Sequence, residues 1–201
     1  MQMRFLSATL FVLSAASCAA PPSAVVLPSA SPSATPAITA SPAASATTPL
    51  AVFPSADPAS LGTKQTIQRA LHIPADQRVA SYSSDPPTSG PHHERPATWS
   101  ISDAPIPNEV FVHNLEHGGI VLVYNDLDPA DVTRLRGLVT VLQRSTHPKL
   151  LLFPYQTLKE AKIAVLAWGW LLKLPEYDPA KIRGFIEAHY EGPDAPERSV
   201  P

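Results

Sequence analysis

The sequence predicts an α+β fold: a single compact domain over residues 61–201, with a mainly antiparallel sheet and helices packed on one face, behind a disordered tether. Three observations lead there. Short runs of branched apolar residues, bounded by Gly and Pro, read as strands. Two Asp-Pro pairs each open a stretch of helical periodicity. The composition also changes abruptly near residue 60, where Ala, Pro, Ser and Thr give way to ordinary globular sequence.

From the N-terminus, residues 1–17 read as a signal peptide. Arg4 supplies the positive start, and residues 5–16 form an apolar run of secretory length, too short to span a bilayer. The run ends in Leu13-Ser14-Ala15-Ala16-Ser17-Cys18. Small residues before a cysteine resemble the lipobox of bacterial lipoproteins, although Ala15 stands where leucine is usual. The only cysteine of the chain falls at the one place a lipid anchor needs it. The expected location is therefore the outer face of a bacterial membrane, held by lipid on Cys18, to which each buried CH₂ contributes about 0.8 kcal/mol. Residues 18–60 comprise that cysteine and the tether. Of the 42 residues from 19 to 60, 34 are Ala, Pro, Ser or Thr and nine are proline, with Asp57 the single charge. Prolines remove donors and fix φ, so neither helix nor ladder runs far. Polyproline-like chain at about 3.1 Å per residue makes a spacer reaching at most roughly 130 Å.

The remaining 141 residues suffice for one core. A weak helical pattern covers 64–71, and 79–82 reads as a strand before a proline-rich loop from 83 to 107. Residues 110–113 and 120–124 read as strands flanking Gly118-Gly119. Asp128-Pro129 sets an N-cap before proline at the first helical position, and Val132, Leu135, Leu138, Val139 and Leu142 then line one face. Runs at 150–153 and 163–168 give two more strands. Residues 164–174 are strongly apolar but too few to cross a membrane, so they belong to the core. Asp178-Pro179 repeats the helix start, and Gly192-Pro193 ends that helix.

Charge and cysteine content narrow the function. Fifteen Lys and Arg against 17 Asp and Glu leave a formal net charge of −2, without the basic excess of a nucleic-acid binder. One cysteine excludes a disulfide framework and any multi-thiolate metal site. Seven histidines all lie beyond residue 60, and they cluster. His92 and His93 follow Pro86-Pro87-Thr88-Ser89-Gly90-Pro91, and His113 and His117 sit in Val112-His113-Asn114-Leu115-Glu116-His117-Gly118-Gly119. Neutral imidazole suits zinc, copper, iron and nickel, so the expected ligands are His92, His113 and His117, with His72 or Glu116 completing the set. Zinc or copper is the expected ion.

His113-x-x-Glu116-His117 also spells the inverted zincin pattern, in which the glutamate is the base. That chemistry needs a helix, so that i and i+4 share a face. The string lies between two strand-like runs and meets two glycines, which argues for a hairpin instead; cross-strand Cβ atoms about 5 Å apart would still pair the histidines. The expectation is paired histidines without the protease.

Pro-Pro-Thr-Ser-Gly-Pro-His at 86–92 and Val-His-Asn-Leu-Glu-His-Gly-Gly at 112–119 resemble the signature segments of a mostly bacterial family known as domain of unknown function 3105. His72, Ala167-Trp168-Gly169 and Gly192-Pro193-Asp194 fit the same pattern, so the resemblance spans about residues 72–197; Ser100 replaces the glycine usual after the first tryptophan. The resemblance implies export or membrane anchoring and strengthens the location of a site, without implying a reaction.

Beside these readings stand plainer ones. Glu116 is open between ligand, partner to an imidazole, general base and turn carboxylate. Ser89 reads as a turn serine, since no Gly-x-Ser-x-Gly elbow surrounds it. His93 reads as a neighbour of the site, His147 as loop, His189 as a packed histidine, and Trp99, Trp168 and Trp170 as core. The expected function is an extracytoplasmic lipoprotein that binds or handles a transition metal. The alternatives are a metal-dependent hydrolase using Glu116 as base, and a metal-free envelope interaction module.

Overall fold

The computed structural model describes residues 61–201; the expected signal peptide, lipidation site at Cys18 and tether lie outside the described residues. The elements run β1 (Thr63–Lys64), β2 (Leu71–Ile73), β3 (Pro91–His93), α1 (Asn108–Glu116), β4 (Ile120–Tyr124), α2 (Pro129–Ser145), β5 (Leu150–Pro154), β6 (Ile163–Ala167), β7 (Trp170–Leu174) and α3 (Pro179–His189). Five strands form one sheet in the order β1-β7-β6-β4-β5, and β2 and β3 form a small parallel pair apart from it. The α+β class and the mainly antiparallel sheet hold. Only β4 and β5 run parallel in the large sheet, as a helical crossover demands, and α2 supplies that crossover.

Alternation along β4 divides the interior into two layers. Ile120 and Leu122 face α2 and α3, against Leu135, Leu138, Val139, Ile182 and Phe185. Val121 and Val123 face the other way, against Phe111, Val112 and Leu115 of α1. Helices thus pack on both faces rather than one: the two long helices share a face as expected, and α1 covers the opposite one. Both Asp-Pro starts hold. The Asp128 carboxylate accepts the Ala130 N–H at 2.8 Å, and that of Asp178 accepts those of Ala180 and Lys181 at 3.1 and 3.0 Å.

Four local expectations fail, each for a physical reason. Residues 110–113 form the middle of α1, not a strand; a short apolar run fits either element, and Phe111, Val112 and Leu115 reach the sheet only with helical spacing. Gly118-Gly119 is the stop of that helix rather than a hairpin. The Gly118 N–H reaches the Leu115 carbonyl at 3.0 Å and the Gly119 N–H the Asn114 carbonyl at 3.2 Å, with Gly118 at φ +77°, which is a Schellman motif. Residues 64–71 are not helical, because Thr63 and Lys64 pair with β7 and the Gln68 N–H is taken by Ser89 Oγ at 2.9 Å. Residues 79–82 make no strand; the Val79 N–H goes to the Glu109 carboxylate at 3.0 Å. The apolar run 164–174 is core as expected, and it folds back at Trp168-Gly169 into β6 and β7, with Gly169 at φ +75°. Among the described residues no helix is long and apolar enough to cross a membrane.

Candidate metal centre

Three segments distant in sequence deliver the site. In the β2–β3 ladder His72 lies opposite His92. The end of α1 supplies His113, Glu116 and, at its C-cap, His117. A helix places i, i+3 and i+4 on one side, so these three face the ladder together. His92 is fully buried and His113, Glu116 and His117 nearly so, whereas the His72 side chain is 44% exposed. Ring centroids of His72, His92 and His113 lie 4.9–5.0 Å apart, and those of His113 and His117 4.6 Å apart.

Hydrogen bonds fix which nitrogen of each ring is free. A carbonyl oxygen only accepts, so a ring nitrogen facing one must carry the proton. His92 Nδ1 donates to the Gly90 carbonyl at 2.8 Å, His113 Nδ1 to that of His93 at 2.7 Å, and His117 Nδ1 to a Pro201 oxygen at 2.9 Å. In the neutral rings the lone pair is therefore at Nε2, and these atoms point into the cluster. His92 Nε2 lies 2.8 Å from Glu116 Oε2, His72 Nε2 lies 3.5 Å from the same oxygen, and His113 Nε2 lies 3.0 Å from His117 Nε2. With the rings neutral, acceptor faces acceptor at the His92–Glu116 and His113–His117 contacts. The donor atoms of His72, His92, His113 and Glu116 all fall within 4.8 Å of one another, a grouping that could hold a metal ion.

The surroundings hold this arrangement still. Gly90, at φ +122°, offers the carbonyl that orients His92; a Cβ there would meet Gln68 and Tyr82 at 3.0–3.3 Å. His93 acts through its main chain, its ring donating to the Gln77 carbonyl at 3.0 Å while its own carbonyl orients His113. Asn114 clamps Ala97 at two points, 2.8 and 2.9 Å. Burial, with the neighbouring His92 and His117, holds the His113 imidazole below its ordinary 6.5, while the His93 carbonyl and Glu116 oppose the shift. Lowering favours the neutral, ligating form.

The structure brings His72, His92, His113 and Glu116 together, while His117, expected in the same set, meets only His113 of these four. It leaves His147 elsewhere, beside Thr146, and places His189 against Trp170 with its ring bonded to the Leu61 carbonyl. Ser89 Oγ is occupied by a backbone N–H, as suits a structural serine. Sequence reading missed Glu197, whose carboxylate lies 3.4 Å from His117 Nε2. Nothing near residue 197 announces a ligand, because its neighbours in the site are some 80 residues away.

Comparison with known proteins places this geometry in a family. A family model described as "Protein of unknown function (DUF3105)" matches residues 72–201, which contain every residue of the cluster. No curated protein and no solved structure matches the chain.

Proposed function

Since the chain belongs to the family described as Protein of unknown function (DUF3105), a description that names no activity, we propose from the site itself that the domain binds one transition-metal ion. His92 and His113 are the central ligands, with His72 and Glu116 around them. The observation that carries this reading is the grouping of the His72, His92, His113 and Glu116 donor atoms within 4.8 Å of one another, with the Nδ1–H groups of His92 and His113 fixed on backbone oxygens. Backbone-fixed tautomers of this kind are how proteins aim histidine at a metal. A metal ion or a proton between these acceptors would satisfy them, and burial disfavours the proton on His113. Zinc and copper suit a thiol-free set of imidazoles and one carboxylate. The domain would work outside the cytoplasm, on a bacterial membrane through lipid on Cys18; the support is the signal-like start and the position of that cysteine.

Calorimetry on the chelator-stripped domain tests the reading. Zinc or copper should bind near neutral pH, with affinity falling as pH drops through about 6.5, because ligation needs neutral imidazole. Bound metal should raise stability by about 2.7 kcal/mol at a hundredfold excess over its dissociation constant. His113→Ala should cost at least about tenfold in affinity, and His147→Ala should change nothing. If zinc, copper, nickel and iron all fail to bind, the proposal is wrong.

One observation favours a second reading, a metal-dependent hydrolase. The helix that the inverted zincin pattern requires is present, with His113, Glu116 and His117 on its last turn and C-cap. Glu116→Gln separates the two. It should spare affinity and abolish turnover if the carboxylate is a base, and weaken affinity if it is a ligand, the role its 2.8 Å contact with His92 supports.

A further inference from the structure

The C-terminal segment after α3 returns across the end of α1, and many bonds hold it there. Lys149 Nζ donates to the carbonyls of His117, Arg198 and Val200 at 3.3, 3.0 and 2.6 Å and pairs with Glu191 at 2.9 Å. The Glu191 N–H donates to the Gly118 carbonyl at 2.8 Å and the Glu197 N–H to the Glu116 carbonyl at 3.0 Å. An ammonium at a helix C-terminus is also well placed electrostatically. The fold thereby commits a nearly buried lysine to fixing a tail, and that tail carries a carboxylate up to the histidine cluster.

Glu197 arrives where two bare nitrogens already meet. His117 Nε2 has the His113 Nε2 lone pair at 3.0 Å on one side and the Glu197 carboxylate at 3.4 Å on another. The donor atoms of His113, His117 and Glu197 lie within 4.8 Å of one another. A single proton on His117 can be donated to only one of those neighbours at a time, whereas a divalent cation satisfies all three. Two imidazoles, one carboxylate and a partly exposed side, with the Glu197 side chain 43% exposed, match a zinc site that keeps an open position.

Building on the metal-binding reading above, we propose that His113, His117 and Glu197 form a second metal half-site, adjoining that of His72, His92 and Glu116 and sharing His113 with it. An imidazole nitrogen has one lone pair, so His113 Nε2 serves one ion at a time. The two half-sites are alternative seats for a single ion. Ligand exchange at His113 would move that ion between the seat on the β2–β3 ladder and the seat under the C-terminal tail.

Cobalt(II) and zinc titrations of the full domain test this, with calorimetry for affinity and cobalt absorption for the ligand set. The wild type should saturate at one ion per chain; two tightly bound ions would overturn the sharing of His113. Glu197→Gln should weaken binding at least about tenfold in a His92→Ala background, where only the tail seat remains. It should have no effect in a His117→Ala background, where only the ladder seat remains. An unchanged affinity in the first background removes Glu197 from the site while leaving the single-seat reading intact. Absence of any binding by the wild type defeats that reading as well, so the two failures are distinguishable. Should His92→Ala not fold, His92→Phe removes the same ligand while filling the space of the ring, and circular dichroism of each variant establishes the fold.

Discussion

At the scale of single residues, one backbone acceptor decides the tautomer of each of His92, His113 and His117. Rotating the Gly90, His93 or Pro201 oxygen away would free Nδ1 and leave the proton of that ring undirected. Two imidazoles also give the domain a pH dependence of known sign. Burial holds both His113 and His189 below 6.5 in the folded state. As pH falls, the unfolded chain takes up these protons first, so the contribution is fully present above 6.5 and is lost as pH falls through the lowered folded values. The unfolding free energy of the chelator-stripped domain, followed by denaturant titration, should therefore decrease as pH is lowered below 6.5. His189→Gln should flatten part of that slope without touching metal affinity, since His189 lies against Trp170 and Phe185, outside the cluster. A slope of the opposite sign would contradict the assignment.

At the scale of elements, the end of α1 sets the site. Its Schellman stop turns the chain within two residues, so that His117 caps the helix and Ile120 already lies in the central sheet. Gly118 is needed there for its left-handed φ, and Gly119 for a different reason: a Cβ would lie 2.2 Å from the Trp99 ring. The Lys149 backbone carbonyl lies 2.8 Å from the same Cβ, so movement of the indole alone would not relieve it. Gly119→Ala should cost about 1–3 kcal/mol by overpacking, seen as a lower midpoint in chemical denaturation, and it should disturb His117 because the turn is shared. A neutral result would mean that Trp99 and the Lys149 backbone both give way. The same turn accounts for the misread strand. Branched residues before paired glycines are compatible with a hairpin, and only the hydrophobic layer beneath α1 selects the helix.

At the scale of the whole molecule, the site is assembled by packing rather than by any one segment. The small β2–β3 ladder, the end of α1 and the tail held by Lys149 are separate in sequence, and each contributes donors that are useless alone. The composition of residues 19–60, rich in Pro, Ser and Thr with one charge, leads to the expectation that this segment buries little surface. Deleting residues 19–60 should leave the thermal midpoint of the domain nearly unchanged, and a drop of many degrees would show that the segment packs against it. Cys18→Ser should release the protein from the membrane fraction if the lipid anchor is as proposed. Continued membrane association of that variant would remove the lipoprotein reading.

The sequence alone determined what depends on local chemistry. Asp-Pro pairs predict both long helices because the cap and the proline act on their own first turn, and the branched runs at 120–124, 150–153 and 163–168 predict strands of the central sheet. The motifs also single out His92, His113 and His117 because the residue types that bind metals are few. Tertiary structure decided everything that rests on burial and distant contact. Residues 110–113 became helical because a second apolar layer needed covering. Glu116 was placed against His92 by the meeting of α1 with β3, and Glu197 entered the site only because Lys149 pins the tail. Hydrophobic burial is non-directional along the chain, so which segments it brings together is settled by the packed whole, and the make-up of the histidine cluster follows from that packing.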